Sequence, residues 1–398
     1  ARSHPWFQEA ERDPDADMRD RYVFGREQWD TLRWHPAEGG DWYYGYFGAG
    51  YPDLDWTQPA VSRHIRARLD GWLDRGVAGF RIDAVKQLIE EHGDISDTPS
   101  GHCLMAWMNG QLKAHDPEAR VLAEAWTQNA EASAQYLGTA ARPQADMLLD
   151  VPRYRAFLKA FEVGGPSRLR HKLLPEEQDW DIIHRMGSFS GSHDMPRLAT
   201  LVPDARARRV FLAGNFLLPG RPVLYYGEEI DLPDAAEPVG QDMQNRGPMS
   251  WSSDMSAGFT TGEPWFPVDP QHAQGRNVRD QLGDPESMLR FVLALSELRQ
   301  ASAAIQRGEL RLVDDVSDAV LAFVRSDGDQ RVVVILSFSA EASSALRIDI
   351  DRPVVEVGGG GAAFSVIALD QVEPYGVRVF VTEELGGLDP LLQPPALR

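Results

Sequence analysis

Short apolar runs alternate with stretches of helical periodicity through residues 58–304. Runs of about 4–8 apolar residues are typical of buried strands, whereas apolar residues three and four positions apart indicate amphipathic helices. The predicted strands cover residues 76–83, 120–126, 145–150, 188–194 and 222–227. The predicted helices cover residues 59–73, 86–91, 103–112, 154–161, 208–218 and 285–301. Because strands alternate with helices, the pattern predicts a parallel sheet.

The pattern changes at both ends of the chain. Residues 305–398 carry short β-type runs separated by turn residues, which predicts a separate all-β domain. Residues 1–57 are irregular and rich in aromatic residues, Gly, Pro and Asp. Two interpretations of this first segment stay open: a long loop excursion whose rings line a site, or a segment whose rings form a small core of their own. The predicted domains are therefore 1–57, 58–304 and 305–398.

Composition narrows the range of functions. The chain has 40 basic and 60 acidic residues and a formal charge of −20, which excludes nucleic acid and anionic membrane surfaces as expected partners and favours neutral substrates. No apolar run reaches the roughly 18 residues of a membrane span. The single cysteine, Cys103, allows neither an intrachain disulfide nor a cysteine-based metal site, and it favours a reducing, cytoplasmic location. The N-terminus lacks a secretion signal pattern, although the chain begins at Ala1 rather than Met.

Acidic residues stand at the ends of the predicted strands, where parallel sheets bind their ligands. In the first strand Arg81 and Asp83 are two residues apart, so both side chains point to the same side and the cation keeps the carboxylate ionised. An ionised carboxylate at a strand end can act as a nucleophile. The alternative is that Asp83 only caps the following helix. The strand-end residues are Asp83, Glu124, Asp150, His193, Asp194, Glu228 and Glu229.

Glu124 and Asp194 are the further acids that catalysis by an Asp83 nucleophile would require. Acids that meet in one pocket cannot share a single pKa, and carboxyl groups with separated pKa values perform acid and base catalysis. Glu124 follows an apolar run, and apolar surroundings raise a carboxyl pKa, which suits a general acid. Taken singly, Glu124 would be a solvent-facing residue after a strand, and Asp194 would be a helix N-cap before Pro196. Their occurrence together with Asp83 favours the carboxyl pair of a glycosidase.

Three segments resemble conserved regions of the α-amylase superfamily of glycoside hydrolases, in the same order and at similar spacing. They are 79–85 (GFRIDAV), 122–126 (LAEAW) and 193–194 (HD). Further segments are similar to α-glucosidases, oligo-1,6-glucosidases and trehalose synthases: 4–9 (HPWFQE), 51–56 (YPDLDW), 224–229 (LYYGEE), 246–251 (RGPMSW) and 264–268 (PWFPV). The resemblance covers almost the whole chain. It implies an α/β fold, a (β/α)8 TIM barrel followed by a C-terminal antiparallel β-sandwich domain.

The resemblance also implies a role for each matching residue. Asp83 corresponds to the nucleophile, Glu124 to the general acid/base, and Asp194 to a third carboxylate that binds sugar hydroxyls. The substrate-binding positions are Arg81, His193, Trp126 and Arg246. The implied reaction retains the α configuration, for which the two catalytic carboxyl groups lie roughly 5 to 5.5 Å apart. It needs neither a metal nor a cofactor.

Two departures from the family pattern stand out. Ser192 precedes His193, where the family usually has Asn. The family's first region, a strand ending in an Asp and an Asn-His pair, is absent before Ser3, and with it the first three βα units, on the order of 100 residues. We therefore expect the chain to be a fragment of a longer protein, or one part of a split protein that a complementary chain completes. Residues 58–304 would then supply barrel strands four to eight, and residues 1–57 would be the loop excursion after the third.

The predicted function is hydrolysis of α-glucosidic bonds in short gluco-oligosaccharides or disaccharides, through a covalent glycosyl-enzyme intermediate. The nearest variant is transglycosylation or trehalose synthesis. An alternative of a different class is a non-catalytic relative that uses the fold for binding or assembly. The intact acids Asp83, Glu124 and Asp194 argue against that alternative, whereas the absent first region argues for it.

Overall fold

A computed structural model describes residues 1–13, 15–25, 32–91, 93–174, 180–235, 243–357 and 363–382. The chain divides into two compact units, Ala1–Leu149 and Asp150–Arg398. The boundary between the units, at residues 149 and 150, differs from the predicted domain boundaries at 57/58 and 304/305. The predicted boundaries stay predictions. Within the predicted all-β domain, residues 358–362 and 383–398 lie outside the described residues. No helix in the described part of the chain is long and apolar enough to cross a membrane.

The first unit combines helices with short strands. Its helices are α1 (Pro5–Arg12), α2 (Pro59–Leu73), α3 (Pro99–His115) and α4 (Ala130–Leu137). Its strands are β1 (Phe24–Gly25), β2 (Trp34–Pro36), β3 (Trp42–Tyr44), β4 (Gly79–Ile82), β5 (Arg120–Ala123), β6 (Gly138–Thr139), β7 (Arg142–Pro143) and β8 (Met147–Leu149). Turns of 3-10 helix cover Arg19–Arg21 and Val85–Gln87.

The second unit carries further α-helices and two sheets. Its helices are α5 (Val151–Val163), α6 (Ser167–Lys172), α7 (Trp180–Ile183), α8 (Leu198–Leu201), α9 (Ala205–Leu217), α10 (Val278–Gly283), α11 (Met288–Ala301) and α12 (Ala303–Arg307). Its strands are β9 (Met186–Phe189), β10 (Arg221–Val223), β11 (Glu309–Leu312), β12 (Val320–Asp327), β13 (Gln330–Ser337), β14 (Leu346–Glu356), β15 (Ala363–Leu369) and β16 (Val377–Thr382). Turns of 3-10 helix cover Glu228–Ile230, Gln244–Arg246, Met255–Gly258 and Pro270–Gln274.

The aromatic residues of the first segment form a small core of their own. Phe7 on α1 is fully buried and meets the rings of Tyr22 and Tyr43 at centroid distances of 5.0 and 4.8 Å. The strands β1, β3 and β2 pair antiparallel in that order and supply one side of this core. Edge-to-face ring contacts of this kind stabilise a segment that has little regular structure. These rings therefore form a small core of the kind that the second interpretation describes, and the loop excursion stays a prediction.

Strands β4, β5 and β8 pair parallel, as the alternation of strands and helices predicts. Their register depends on Gly79, the first residue of β4. A Cβ atom at this position would lie 2.2 Å from the carbonyl oxygen of Arg120. Because only glycine allows so close an approach of two backbones, Gly79 sets the start of the β4–β5 pair and thereby the ends at which Ile82 and Ala123 lie opposite each other.

The prediction of a helix at residues 86–91 is wrong. Only the single 3-10 turn Val85–Gln87 forms, and the chain then folds back as a loop. Lys86 is tied into this loop, because its ammonium group lies 2.8 Å from the carboxylate of Asp97 and its carbonyl accepts the Asp97 N–H. Glu91 forms a β-bridge with Asp94. The backbone C=O group of Lys86 and the N–H and C=O groups of Glu91 thus find hydrogen-bond partners in the loop instead of in a helix.

In the second unit, arginine side chains cap the end of α9. Arg325 on β12 donates to the carbonyl of Leu217, and Arg299 on α11 donates to the carbonyl of Phe216, at 2.9 and 2.7 Å. The last carbonyls of a helix lack intrahelical partners and carry the negative end of its dipole, so cations stabilise them. Burial lowers the pKa of Arg325 to about 9 and that of Arg299 to about 10. The predicted strand β12 is thus joined to the predicted helix α9 through a buried polar contact.

The C-terminal strands form one antiparallel sheet with the order β11-β12-β13-β16-β14-β15. Its buried face is a continuous aliphatic cluster with members on every strand except β11 and with Val313 just after that strand. The antiparallel all-β prediction for this part of the chain is confirmed. The finer prediction of a sandwich stays a prediction, as do the three absent βα units and the complementary chain.

Substitution of Gly79 tests the close approach of β4 and β5. Gly79→Ala should destabilise the protein by about 2–3 kcal/mol, because the new methyl group meets backbone that cannot move aside. The measurement is the midpoint of urea-induced unfolding. Gly71→Ala on α2 is the matched control: it meets nothing within 4 Å and should stabilise by up to about 1 kcal/mol. Equal midpoints for the two variants would contradict this account of Gly79.

Candidate active site

Asp83 lies just beyond β4 and points toward solvent. Its Oδ1 accepts a hydrogen bond from Arg81 Nη1 at 2.5 Å, and its side chain is 71% exposed. The 3-10 turn that follows has Ala84 as its N-cap residue and no side-chain cap. The alternative that Asp83 only caps a helix is therefore wrong. Arg81 orients a carboxylate that stays accessible to a ligand.

The turn after Asp83 is held in a strained conformation by Glu124. Ala84 has φ of 46° and ψ of 43°, in the left-handed region that L-residues rarely adopt. Its N–H donates to Glu124 Oε2 at 2.9 Å. The backbone of Glu124 pairs with the same turn, because its carbonyl accepts the Val85 N–H and its N–H donates to the carbonyl of Ile82. The end of β5 thus fixes the turn that carries Asp83.

The Glu124 side chain is buried, and both of its carboxyl oxygens have partners. Oε1 accepts a hydrogen bond from Trp126 Nε1 at 2.6 Å, and Oε2 lies 3.6 Å from Arg81 Nη2 in addition to its bond with Ala84. Only 8% of Glu124 is exposed. The solvent-facing alternative for Glu124 is therefore wrong. A single guanidinium, that of Arg81, contacts both strand-end acids, so both carboxyl groups lie against the same side chain.

In the second unit, Asp194 is held between two basic side chains. Its Oδ1 accepts from Arg246 Nη2 at 3.1 Å, and its Oδ2 lies 3.1 Å from His193 Nε2. Arg246 also donates through Nε to the carbonyl of His193 at 2.9 Å. Helix α8 begins at Leu198 with Arg197 as its N-cap, so Asp194 caps no helix. The N-cap alternative for Asp194 is wrong, and the residue is instead a half-exposed carboxylate beside an Arg and a His.

A small cavity of about 140 Å³ opens beside Asp194. Its polar lining includes three residues that the sequence did not single out: Asp234, Gln244 and Asn245. Asn245 is buried and donates to the carbonyls of Met195 and Ser192 at 2.7 and 3.3 Å. Its position directly before the glucosidase-like segment 246–251 was the signal that could have identified it.

The structure therefore groups the predicted site residues within each unit. Arg81, Asp83, Glu124 and Trp126 are in direct contact in the first unit. His193, Asp194 and Arg246 are in direct contact in the second. Among the described residues no group of three or more His, Cys, Asp or Glu side chains is arranged to hold a metal ion. The chemistry available is that of carboxylates at strand ends, oriented by arginine and by backbone N–H groups.

Carboxyl groups at the C-terminal ends of parallel strands lie where such sheets bind their ligands. Comparison with known proteins gives the family. The model of the alpha-amylase catalytic domain matches residues 1–308. The chain belongs to the alpha-amylase family.

Several curated proteins align with most of this chain. The glucan 1,6-alpha-glucosidase of Streptococcus pneumoniae is 25% identical over 396 residues, covering 85% of this chain and 72% of that protein. The oligo-1,6-glucosidase of Parageobacillus thermoglucosidasius is 26% identical over 423 residues, covering 84% and 72%. The trehalose synthase of Pimelobacter sp. is 26% identical over 433 residues, covering 90% and 74%.

Solved structures of similar fold include two with TM-scores near 0.8. The isomaltulose synthase of Klebsiella sp. LX3 has a TM-score of 0.81 at 20% identity and covers 96% of this chain and 81% of that one. The trehalose-6-phosphate hydrolase of Bacillus licheniformis has a TM-score of 0.77 at 20% identity, with the same coverage. At this identity the likeness shows the fold alone.

Replacing the buried acid tests its hydrogen bonds. In Glu124→Gln one carboxyl oxygen becomes an NH₂ group that faces either Trp126 Nε1–H or the Ala84 N–H, so one buried donor loses its acceptor. We expect a loss of about 1–3 kcal/mol in the free energy of unfolding, measured by urea titration. The control Glu118→Gln removes an acid whose side chain is 83% exposed and should change stability by less than about 0.5 kcal/mol. An equal effect of both substitutions would contradict the buried contacts of Glu124.

Proposed function

We propose that this chain is an α-glucosidase-type enzyme that cleaves α-glucosidic bonds of short oligosaccharides with retention of configuration. The observation that carries the proposal is the contact of one guanidinium, that of Arg81, with both Asp83 and Glu124. It is supported by membership of the alpha-amylase family and by relatives that are themselves named glucosidases. Retaining glycosidases use two carboxyl groups on opposite sides of the scissile bond.

In the first step, Asp83 attacks the anomeric carbon of the substrate while Glu124 donates a proton to the departing glycosidic oxygen. The bond to the leaving sugar breaks and a β-glucosyl ester of Asp83 forms. In the second step, Glu124 removes a proton from water, and the hydroxide so formed attacks the anomeric carbon. The ester breaks, Asp83 regains its carboxylate, and the product leaves with its original α configuration.

The contacts of each acid suit these roles. Asp83 is exposed and has one oxygen bound to Arg81, which leaves the carboxylate oriented and accessible for attack. Glu124 is buried and fixed by Trp126 and the Ala84 N–H, so its proton can be delivered along one direction. We propose Trp126 as a residue that acts both on Glu124 and on the bound sugar.

Asp194, His193 and Arg246 are proposed to bind sugar hydroxyls. Asp194 has a half-exposed carboxylate beside a polar cavity, and a carboxylate accepts hydrogen bonds from paired hydroxyl groups. In glycosidases, hydrogen bonds to sugar hydroxyls strengthen in the distorted transition state and lower the activation free energy by roughly several kcal/mol. We also propose that the parallel strands belong to a (β/α)8 barrel, that the substrate is a neutral gluco-oligosaccharide or disaccharide, and that the protein works in the cytoplasm.

A glycosyl-enzyme intermediate can also react with a sugar hydroxyl in place of water. Trehalose synthases are among the similar curated proteins, and an isomaltulose synthase is among the similar structures. We therefore keep glucosyl transfer as the second candidate, in which the same Asp83 ester breaks on attack by a second sugar. A non-catalytic role is the third, and it predicts no turnover of any glucoside.

Substitution of the nucleophile tests the enzyme proposal. With an aryl α-glucoside as substrate and the protein as its natural gene encodes it, Asp83→Asn should lower kcat/KM by about 10⁴-fold or more, because no covalent ester can form. Release of the phenol is followed by absorbance. Asp74→Asn is the control, an exposed acid of the same unit, and should keep full activity. Substantial residual rate in Asp83→Asn would place the nucleophile elsewhere, and an inactive wild type would favour the non-catalytic role.

Azide distinguishes the two carboxyl roles by stereochemistry. In Asp83→Gly, azide replaces the nucleophile and attacks the α-glucoside directly, so the product should be the β-glucosyl azide. In Glu124→Ala, azide attacks the β-glucosyl ester of Asp83, so the product should be the α-glucosyl azide. NMR of the products reads the configuration. Identical azides from both variants would overturn the role assignment.

Product analysis with unlabelled disaccharides separates hydrolysis from transfer. Maltose, isomaltose and trehalose are each incubated with the wild-type protein and resolved by chromatography. Hydrolysis should give glucose as the main product, whereas transfer should give a new disaccharide or a trisaccharide at the expense of glucose. A dominant new disaccharide would make the second candidate the function.

A further inference from the structure

Glu228 is a strand-end acid to which the proposed reaction gives no role. It follows β10 in the segment 224–229, and it is 3% exposed. Its Oε2 accepts a hydrogen bond from the hydroxyl of Ser190 at 2.6 Å. Its Oε1 lies where a side chain of Gly191 would begin, 2.5 Å from the position of an added Cβ atom. The carboxyl group therefore rests directly on the first two residues after β9.

These two residues begin the strand end that carries His193 and Asp194. Ser190 is fully buried, and two residues further on Ser192 Oγ accepts the N–H of Asp194 at 3.1 Å. The carbonyl of Ser192 in turn accepts from Asn245. A displacement at Ser190 would therefore be transmitted through a short, hydrogen-bonded stretch of chain to the Asp194 carboxylate.

The segment that carries Glu228 also supports the partner of Asp194. The hydroxyl of Tyr225 donates to the carbonyl of Asn245 at 3.0 Å, and the hydroxyl of Tyr226 donates to the carbonyl of Gly247 at 2.7 Å. These carbonyls flank Arg246, which donates to Asp194. One turn after β10 thus contacts the chain on both sides of the Asp194–Arg246 pair.

The surroundings of Glu228 favour its neutral form. Oε1 is buried without a hydrogen-bond partner in the described part of the chain, where Glu228 also has no salt bridge. The positive charge of Arg197 acts on it, but the Arg197 guanidinium stacks on Tyr225 and Tyr226 and donates to the Tyr226 carbonyl. The neighbouring Glu229 and the phenol of Tyr154 on α5 face the same region. Burial raises the pKa of Glu228 to about 7, partly opposed by Ser190, the Tyr225 backbone and Arg197.

We propose that Glu228 is a positioning residue: its buried carboxyl group binds Ser190, lies against Gly191 and holds the strand end that carries His193 and Asp194. The proposal deepens the proposed function and rests on it for the role of Asp194. A neutral carboxyl tolerates an unpartnered, buried oxygen, whereas an ionised one does not. As the pH rises through about 7, Glu228 loses its proton. The Ser190 hydroxyl continues to donate to it, but charge then lies on a buried carboxylate with one unpartnered oxygen, and this destabilises the strand end.

The sign of the effect on stability follows from the same shift. The pKa of Glu228 in the folded protein, about 7, lies above its ordinary value of 4.5. The folded state therefore binds this proton more tightly than the unfolded state does, and stability is lost as the pH rises from about 4.5 through 7. Glu228→Gln carries no ionisable group, so its stability relative to wild type should increase across this interval.

The activity test compares wild type, Glu228→Gln and Glu229→Gln between pH 6 and pH 8, with the protein as its natural gene encodes it. If only the neutral form of Glu228 is active, the ratio of kcat in Glu228→Gln to kcat in wild type should rise by roughly tenfold over this range. The change should appear in kcat more than in KM, because Asp194 is proposed to act in the transition state. Glu229 is partly buried, and burial also raises its pKa. In the described part of the chain, however, Glu228 and not Glu229 bonds Ser190 and lies against Gly191, so the Glu229→Gln ratio should stay flat.

Hydrogen exchange supplies a readout that does not depend on turnover. The amides of residues 190–194, followed by mass spectrometry at pH 6 and pH 8, should lose protection in wild type at pH 8 relative to Glu228→Gln at the same pH. Ser190→Ala and Glu228→Ala each remove the one hydrogen bond, so exchange in the double variant should match the more affected single variant. Additive effects, a flat Glu228→Gln ratio or a rising Glu229→Gln ratio would each overturn the proposal. An inactive wild type with the expected exchange pattern would instead overturn the proposed function and leave the contact of Glu228 in place.

Discussion

The hydrogen bond from the Ala84 N–H to Glu124 Oε2 is the constraint on which the arrangement of Asp83 and Glu124 depends. It ties the acid that ends β5 to the turn that follows β4, so the two neighbouring strand ends are fixed relative to each other. Because Asp83 immediately precedes Ala84, the same bond determines where the Asp83 carboxylate points. Arg81 then completes the arrangement by contacting both acids. One turn and the end of one neighbouring strand thus position the carboxyl groups of Asp83 and Glu124.

Energetic considerations explain why this turn can be strained. A left-handed conformation at a residue with a Cβ, such as Ala84, costs about 1–2 kcal/mol. The hydrogen bond of the Ala84 N–H to the Glu124 carboxyl group and that of the Val85 N–H to the Glu124 carbonyl contribute about 0.5–1.5 kcal/mol each. These contacts together offset the strain, and the bond to Ala84 depends on the Glu124 side chain. Strained backbone of this kind is concentrated at functional sites, where the surrounding structure holds it in place.

The features that sequence predicted are those with a local physical cause. Strands such as β5 were predictable because an apolar run of this length has few other ways to be buried, and helix α2 because its apolar residues share one face. The acids at strand ends were predictable because parallel strands bring their C-terminal ends together. The helix at residues 86–91 was predicted wrongly, because the contacts of Lys86 with Asp97 depend on residues that are distant in the helical pattern.

Burial was the property that sequence could not assign to individual acids. Asp83, Glu124 and Glu228 each follow a short apolar run, and the pattern around them is alike. The structure separates them: Asp83 is exposed, Glu124 is buried with partners on both oxygens, and Glu228 is buried with one oxygen unpartnered. An exposed carboxylate can approach a ligand, a buried and fully bonded one can hold a fixed direction, and a buried, half-bonded one is stable only when neutral. The chemical role proposed for each acid therefore follows from how its strand end is enclosed, which depends on neighbouring segments rather than on the residues beside it in the chain.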